Sequence, residues 1–227
     1  MRVDDQLVEN AYLGWRTSLE TLLGDAPSLA RWQERRYRFA HRVGALLTEA
    51  QGDGAAVAGA VLYGVYLSGV GLSYVGQTQK AGRRLRDLPV GESHHLANTV
   101  PPELWERVVV LRWPLLLPEA PEGDRAKVEK AGHQTCGLAL EHALQDETAP
   151  PLNSRRRDKD GAWRPRIVTG SQSRGAMLAQ AIPDLKELAL SKWRELEQVK
   201  PSTGSLVEVT EFGRVVFPSA LHGTPES

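Results

Sequence analysis

Two short tyrosine-bearing segments, Gly64-Val65-Tyr66 and Tyr74-Val75-Gly76, stand close together in a stretch rich in Val, Leu and Tyr. Arg84 follows ten residues after Tyr74, and Asn153 lies twelve residues beyond Glu141. Taken singly, each is ordinary: strand tyrosines pack, and a helical glutamate is normally solvated. Taken together, a phenol, a guanidinium and a carboxylate are residue types that could serve hydrolysis of a phosphodiester. That reaction needs an activated water, charge neutralisation on the phosphate and help for the leaving oxygen. A guanidinium binds phosphate through charge-assisted hydrogen bonds. One helical carboxylate can hold Mg²⁺, which keeps several waters in its shell. A phenol, with an ordinary pKa of about 10, serves as a base only beside positive charge.

The surrounding pattern predicts the elements that carry these residues. Val61 to Leu67 and Leu72 to Gly76 read as two strands joined by the turn Ser68-Gly69-Val70-Gly71. Residues 107–113 read as a third strand. Residues 124–146 read as one helix with Cys136, Leu140 and Leu144 on its apolar stripe; Glu141 borders that stripe, and Pro150-Pro151 ends the helix.

Outside this block the period is helical at the N-terminus. Val8, Tyr12, Trp15, Leu19 and Leu22 make residues 5–23 amphipathic. Ser28 is the expected cap of a second helix reaching about Ala50, with Leu29, Trp32, Phe39, Val43 and Leu46 on one face. Arg31, Arg35, Arg38 and Arg42 form a stripe on another, either solvated or touching a nucleic-acid backbone. A linker follows from Gly52 through Ala60. After Asn153 the chain is basic and punctuated by Gly and Pro (Arg155, Arg156, Arg157, Trp163, Arg164, Arg166), which predicts a loop suited to phosphate or groove contact. A helix is predicted from Pro183 to Val199. A hairpin follows, Leu206–Thr210 and Arg214–Phe217 around Glu211-Phe212-Gly213, and the chain is expected to fray from His222.

Composition sets bounds. With 41% hydrophobic and 25% charged residues the chain reads as an ordinary globular protein. Its 28 basic and 28 acidic residues cancel, so any basic surface must arise by local segregation. The single cysteine, Cys136, excludes an internal disulfide and argues against a cysteine-based zinc site. The opening MRVDDQLVEN lacks a basic stretch ahead of an apolar core, so no signal peptide is expected. No membrane-spanning run is seen, and a cytoplasmic location follows as the expectation.

The ordered set of Gly64-Val65-Tyr66, Tyr74-Val75-Gly76, Arg84, Glu141 and Asn153, with Thr78 after the second segment, resembles the GIY-YIG endonucleases. The similarity covers about ninety residues, and the spacing from Glu141 to Asn153 is similar to that in the nuclease subunit of bacterial nucleotide excision repair. It implies an α+β fold: a small module at 60–155 with a three-stranded, mostly antiparallel sheet flanked by helices. A helical N-terminal extension (1–55) and an α/β C-terminal extension (156–227) would flank it. It also implies a Mg²⁺-dependent (or Mn²⁺-dependent) DNA endonuclease. Tyr66 would be the general base, Tyr74 would orient water or phosphate, Arg84 would hold the scissile phosphate and Glu141 the metal, with Asn153 fixing the loop after the helix. Arg83 and Arg86 flank Arg84 and would touch nucleic acid.

One departure bears on the chemistry. Many members have a histidine four residues after the arginine, where this chain has Leu88; His94 and His95 come shortly after. Either one of these takes over, or the chain does without, as the excision-repair branch does. The His94-His95 pair near Asn98 could also suggest a ββα-metal nuclease, whose other parts are missing. The long extensions resemble those of stand-alone restriction enzymes that clamp duplex DNA, often as homodimers. Two further readings stay open: a nuclease subunit of a repair or phage-defence complex, and a nucleic-acid-binding protein with a retired site, for which Glu141 would have no use.

Overall fold

A computed structural model of the chain describes residues 5–52, 54–91, 95–153, 155–157, 163–165, 168 and 170–223. The chain divides into two compact units, one up to Ala40 and one from His41 onward.

The first unit holds α1 (Asp5–Leu23) and most of α2 (Ala26–Thr48). Asp25, not Ser28, stands at the head of α2: its carbonyl accepts from Leu29 N at 3.0 Å, and its carboxylate accepts from the Ser28 hydroxyl. The amphipathic stripe of α1 is present but uncovered, and no residue of α1 is buried. Val8, Tyr12 and Trp15 are each more than half exposed.

The second unit is built on one antiparallel sheet of β1 (Val61–Leu67), β2 (Gly71–Thr78), β3 (Trp105–Leu111), β6 (Val207–Val209) and β7 (Gly213–Val216), in the order β2-β1-β3-β7-β6. The expectation of three strands is corrected to five. The C-terminal hairpin does not stand apart: β7 pairs with β3 along Val108↔Val216 to Leu111↔Gly213. Gly213 makes this pairing tight, since a Cβ there would lie 2.1 Å from Val110 O. The neighbouring Arg214 is buried and donates to the carbonyls of Leu46 and Glu49 (both 2.8 Å) and Ala55 (2.9 Å). It thus satisfies carbonyls at the C-terminal end of α2, where a helix leaves them unpaired.

One sheet face packs on α6 (His133–Thr148), α7 (Arg174–Ala181) and α8 (Pro183–Glu197). Leu62, Tyr66, Val75, Val109 and Leu111 meet Cys136, Leu140, Leu144, Leu185, Leu190, Trp193 and Leu196 there. A Cβ at Gly64 would come within 2.7 Å of Trp193 and of Leu72, so this glycine lets the indole lie against β1. The other face carries Tyr63, Val65, Val108 and Val110, also buried.

The helix expected over 124–146 is two, α5 (Glu122–Ala131) and α6. They break at Gly132, whose φ of +81° suits a residue without a side chain. The basic segment expected as a loop contains a two-stranded ribbon, β4 (Arg155–Arg157) with β5 (Trp163–Pro165), in which Arg156 pairs with Arg164. The sequence pattern had not suggested α7, capped by Ser173, whose hydroxyl accepts from Ala176 N at 3.2 Å. No helix among the described residues is long and apolar enough to cross a membrane.

Candidate active site

The strand pairing decides which side chains share a face. β1 and β2 align Tyr63 with Gly76 and Val65 with Tyr74, and residues opposite each other in an antiparallel pair point the same way. Tyr63, Val65, Tyr74 and Gly76 therefore lie together, while Leu62, Gly64 and Tyr66 turn to the α8 side. Gly76 makes room: a Cβ there would sit 2.6 Å from both Cζ and the hydroxyl of Tyr63. The Tyr63 ring thus crosses the neighbouring strand and meets Tyr74, with ring centroids 6.1 Å apart.

Arg84 reaches this pair from α3 (Ala81–Asp87). Its Nε donates to the Tyr63 hydroxyl at 3.2 Å, and the Tyr63 and Tyr74 side chains are hydrogen-bonded to each other. Tyr63 is fully buried beneath these partners; Tyr74 and Arg84 are half-buried. Burial pushes the Tyr63 phenol above its ordinary range, against the pull of the Arg84 charge and the bonds with Arg84 and Tyr74. Burial also raises Tyr74, followed by the effects of Tyr63 and of the Glu141 charge. For Arg84, burial opposes the charge, but the two tyrosines outweigh it and the guanidinium is held charged. Both phenols are therefore neutral near pH 7.

Glu141 is half-buried on α6, close enough for its charge to raise both Tyr63 and Tyr74. Its Oε1 accepts from Gln145 Nε2 at 3.1 Å, one helical turn further along. Among the described residues no three His, Cys, Asp or Glu gather to hold a metal. A lone carboxylate fits one kind of ion, a hard cation such as Mg²⁺ whose other positions stay with water.

Asn153 grips the open edge of β2. Its Oδ1 accepts from Val75 N at 2.7 Å, and its Nδ2 donates to Val75 O at 2.8 Å. Beside it, Leu152 N donates to Ser73 O at 2.9 Å. The amide mimics a neighbouring strand and holds the backbone between Tyr74 and Gly76.

Tyr66 has to be moved out of this group. It lies on the opposite face, where its hydroxyl donates to Glu197 Oε1 at 2.5 Å and accepts from Trp193 Nε1 at 3.0 Å. Burial, then its bond to Glu197 and the Glu197 charge, drives its phenol far above the ordinary range. Tyr63 takes its place beside Arg84. The turn pairs Leu67 with Gly71 and Tyr66 with Leu72, and an irregularity in the register between Val65 and Tyr66 then brings Val65 opposite Tyr74, which leaves Tyr66 out of step with it.

The remaining expected residues separate clearly. Among the three arginines, Arg84 faces the tyrosines. Arg83 is exposed, its Nε 4.0 Å from Asp87, and Arg86 pairs with Glu49 at 3.3 Å. Leu88 is fully buried. His95 is exposed at the head of α4 (Leu96–Thr99) and takes no part in the tyrosine–arginine cluster. His94 and Arg166 lie outside the described residues. Arg155, Arg156, Arg157 and Arg164 belong to the ribbon that begins two residues after Asn153. Arg35 and Arg38 are exposed in the first unit, Arg38 beside Glu34 at 3.3 Å.

No family model, curated protein or solved structure matches this chain. The functional argument therefore rests on the site itself.

Proposed function

We propose that the chain is a Mg²⁺-dependent endonuclease acting on double-stranded DNA, of the GIY-YIG type that its sequence resembles. The observation that carries this is the cluster in which Arg84 bonds Tyr63, Tyr63 and Tyr74 bond each other, and the Glu141 charge reaches both phenols. A charged guanidinium half-open to solvent is suited to a phosphate oxygen, which it binds through charge-assisted hydrogen bonds. As Arg84 turns toward a phosphate, it uncovers the Tyr63 oxygen; the phenol would first give up its own proton to solvent, and the resulting phenolate would then take the proton of the attacking water. Arg84 also favours the phenolate by its charge.

A divalent cation at Glu141 would supply charge neutralisation and an acidic water at the leaving oxygen. Neutralising Glu141 also removes one of the influences that raise the two phenols. Tyr74 holds the Tyr63 oxygen in line, and Asn153 keeps the strand beneath them in register.

The basic ribbon supports duplex DNA as the substrate. A two-stranded ribbon fits the major groove, and β4 and β5 contribute Arg155, Arg156, Arg157 and Arg164 close in sequence to Asn153. Arg83 and the Arg35–Arg38 face would add contacts to the backbone. Cutting both strands asks for two copies, and the uncovered stripe of α1 is the surface that a second copy would cover.

Supercoiled plasmid incubated with the purified chain and Mg²⁺ or Mn²⁺ tests this. Nicked or linear product that disappears on chelation supports it. Intact plasmid together with cleaved single-stranded RNA would replace DNA by RNA as the substrate.

A further inference from the structure

Gln145 is the most unusual polar residue near the site. It is 1% exposed on α6, on a helix whose other buried positions are Cys136, Gly137, Ala139, Leu140, Ala143 and Leu144. Its Nε2 donates to Glu141 Oε1 at 3.1 Å, and its own Oε1 is buried with no hydrogen-bond partner. A buried amide with one end unsatisfied works against folding, because its lost hydration is not replaced. Leucine or methionine would fill the same volume without that cost. The amide therefore needs another reason to be there, and the one bond it makes is to the carboxylate of the candidate metal site.

We propose that Gln145 is a positioning residue for Glu141, fixing the rotamer and hydrogen-bonding state in which that carboxylate meets a divalent cation. This rests on the Glu141 reading above. Glu141 and Gln145 are i and i+4 on one helix face, the spacing at which two side chains meet. The bond engages one carboxylate oxygen and restricts rotation about the end of a half-buried side chain. Residues that hold metal-binding carboxylates in this way characteristically change metal affinity about 10- to 100-fold when removed.

The test uses the full chain with Mn²⁺ alone as the probe. Mn²⁺ affinity is read by calorimetry or by water-proton relaxation, and apo-protein stability by thermal unfolding. Gln145→Leu removes the bond and the unpartnered carbonyl together. Its expected result is Mn²⁺ affinity about 10- to 100-fold weaker with a thermal midpoint no lower than that of the parent. Gln145→Met keeps an unbranched chain of similar length and should behave alike, so a packing fault peculiar to leucine does not decide the outcome. A Gln145 that only packs predicts the reverse, a lowered midpoint with unchanged Mn²⁺ affinity, and that result overturns the proposal. Glu141→Gln is run alongside. Loss of Mn²⁺ binding in Glu141→Gln with parental affinity in both Gln145 variants rejects Gln145 alone. Parental Mn²⁺ binding by Glu141→Gln rejects the metal site itself, and the positioning role with it.

Discussion

Replacing Tyr66 and Tyr63 separately by Phe separates the two faces of the sheet. In Tyr66→Phe the lost hydroxyl donates to Glu197 Oε1 at 2.5 Å and accepts from Trp193 Nε1 at 3.0 Å. Trp193 keeps a second acceptor, Glu197 Oε1 at 3.2 Å, so the indole is not orphaned. The net loss is one bond to a charged group, about 1.5–3 kcal/mol. For a chain of this length that lowers the thermal midpoint on the order of 5 °C. Cleavage should stay within about twofold of the parent, because α8 and not the site holds that hydroxyl; the general-base assignment carries about 10²-fold. In Tyr63→Phe the balance reverses. Arg84 is half-open to solvent and can turn to water, so stability should change by about 1 kcal/mol or less. Single-turnover cleavage should fall about 10²-fold or more. Urea unfolding and rapid-quench cleavage of an end-labelled duplex, on both variants, give the four numbers. If Tyr66→Phe abolishes cleavage while Tyr63→Phe cuts at the parental rate, the assignment of the catalytic face is wrong.

Gly76→Ala places a Cβ 2.6 Å from the Tyr63 hydroxyl and should cost about 1–3 kcal/mol of stability while displacing that hydroxyl and lowering cleavage; a parental rate would show that the ring need not cross β2. Tyr63, Tyr66 and Tyr74 are held protonated above the ordinary phenol range, so their contribution is intact below about pH 10 and lost as pH rises further, when the unfolded chain sheds protons that the native chain keeps. Cys136, pushed up to about 12 by burial, begins the same loss from about pH 8.5. Each group adds about 1.4 kcal/mol per pH unit, so urea midpoints should drop steeply above pH 10, and less steeply in Tyr66→Phe; a pH-independent midpoint contradicts the burial of these hydroxyls. Replacing Arg155, Arg156 and Arg157 by Ala should weaken duplex binding and flatten its salt dependence by up to about 0.9 per lost phosphate contact; an unchanged slope in a salt titration would place the ribbon away from DNA.

Much of the scaffold was legible because its signals are local. The turn Ser68–Gly71, the switch from helical to strand period at Val61 and the Pro183 start of α8 each depend on a few neighbouring residues. What escaped is non-local. The run Val61–Leu67 is buried along nearly its whole length, so alternation could not say which tyrosine faces which helix. The pairing of β7 with β3 joins residues about a hundred positions apart, and nothing in Gly213–Val216 announces its partner. Gly132 sits inside a helical pattern and breaks it only through its positive φ. Within the candidate site, spacing singled out Arg84 and Glu141, which the fold sets near Tyr63 and Tyr74, whereas Asn153, expected to fix the loop after the helix, bonds the Val75 backbone of β2. Tyr63 was hidden because Gly64-Val65-Tyr66 reads as the more familiar triplet, although its glycine serves Trp193 and not the site.

The measurement that bears most directly on the central claim is single-turnover cleavage of a labelled duplex in Mg²⁺ by the parent, Arg84→Ala and Glu141→Gln, with duplex binding measured on the same samples. The expected result is cutting by the parent, a loss of several orders of magnitude in both variants, and near-parental binding by Glu141→Gln. Cutting by either variant at the parental rate would contradict a hydrolytic centre formed by Tyr63, Tyr74, Arg84 and Glu141.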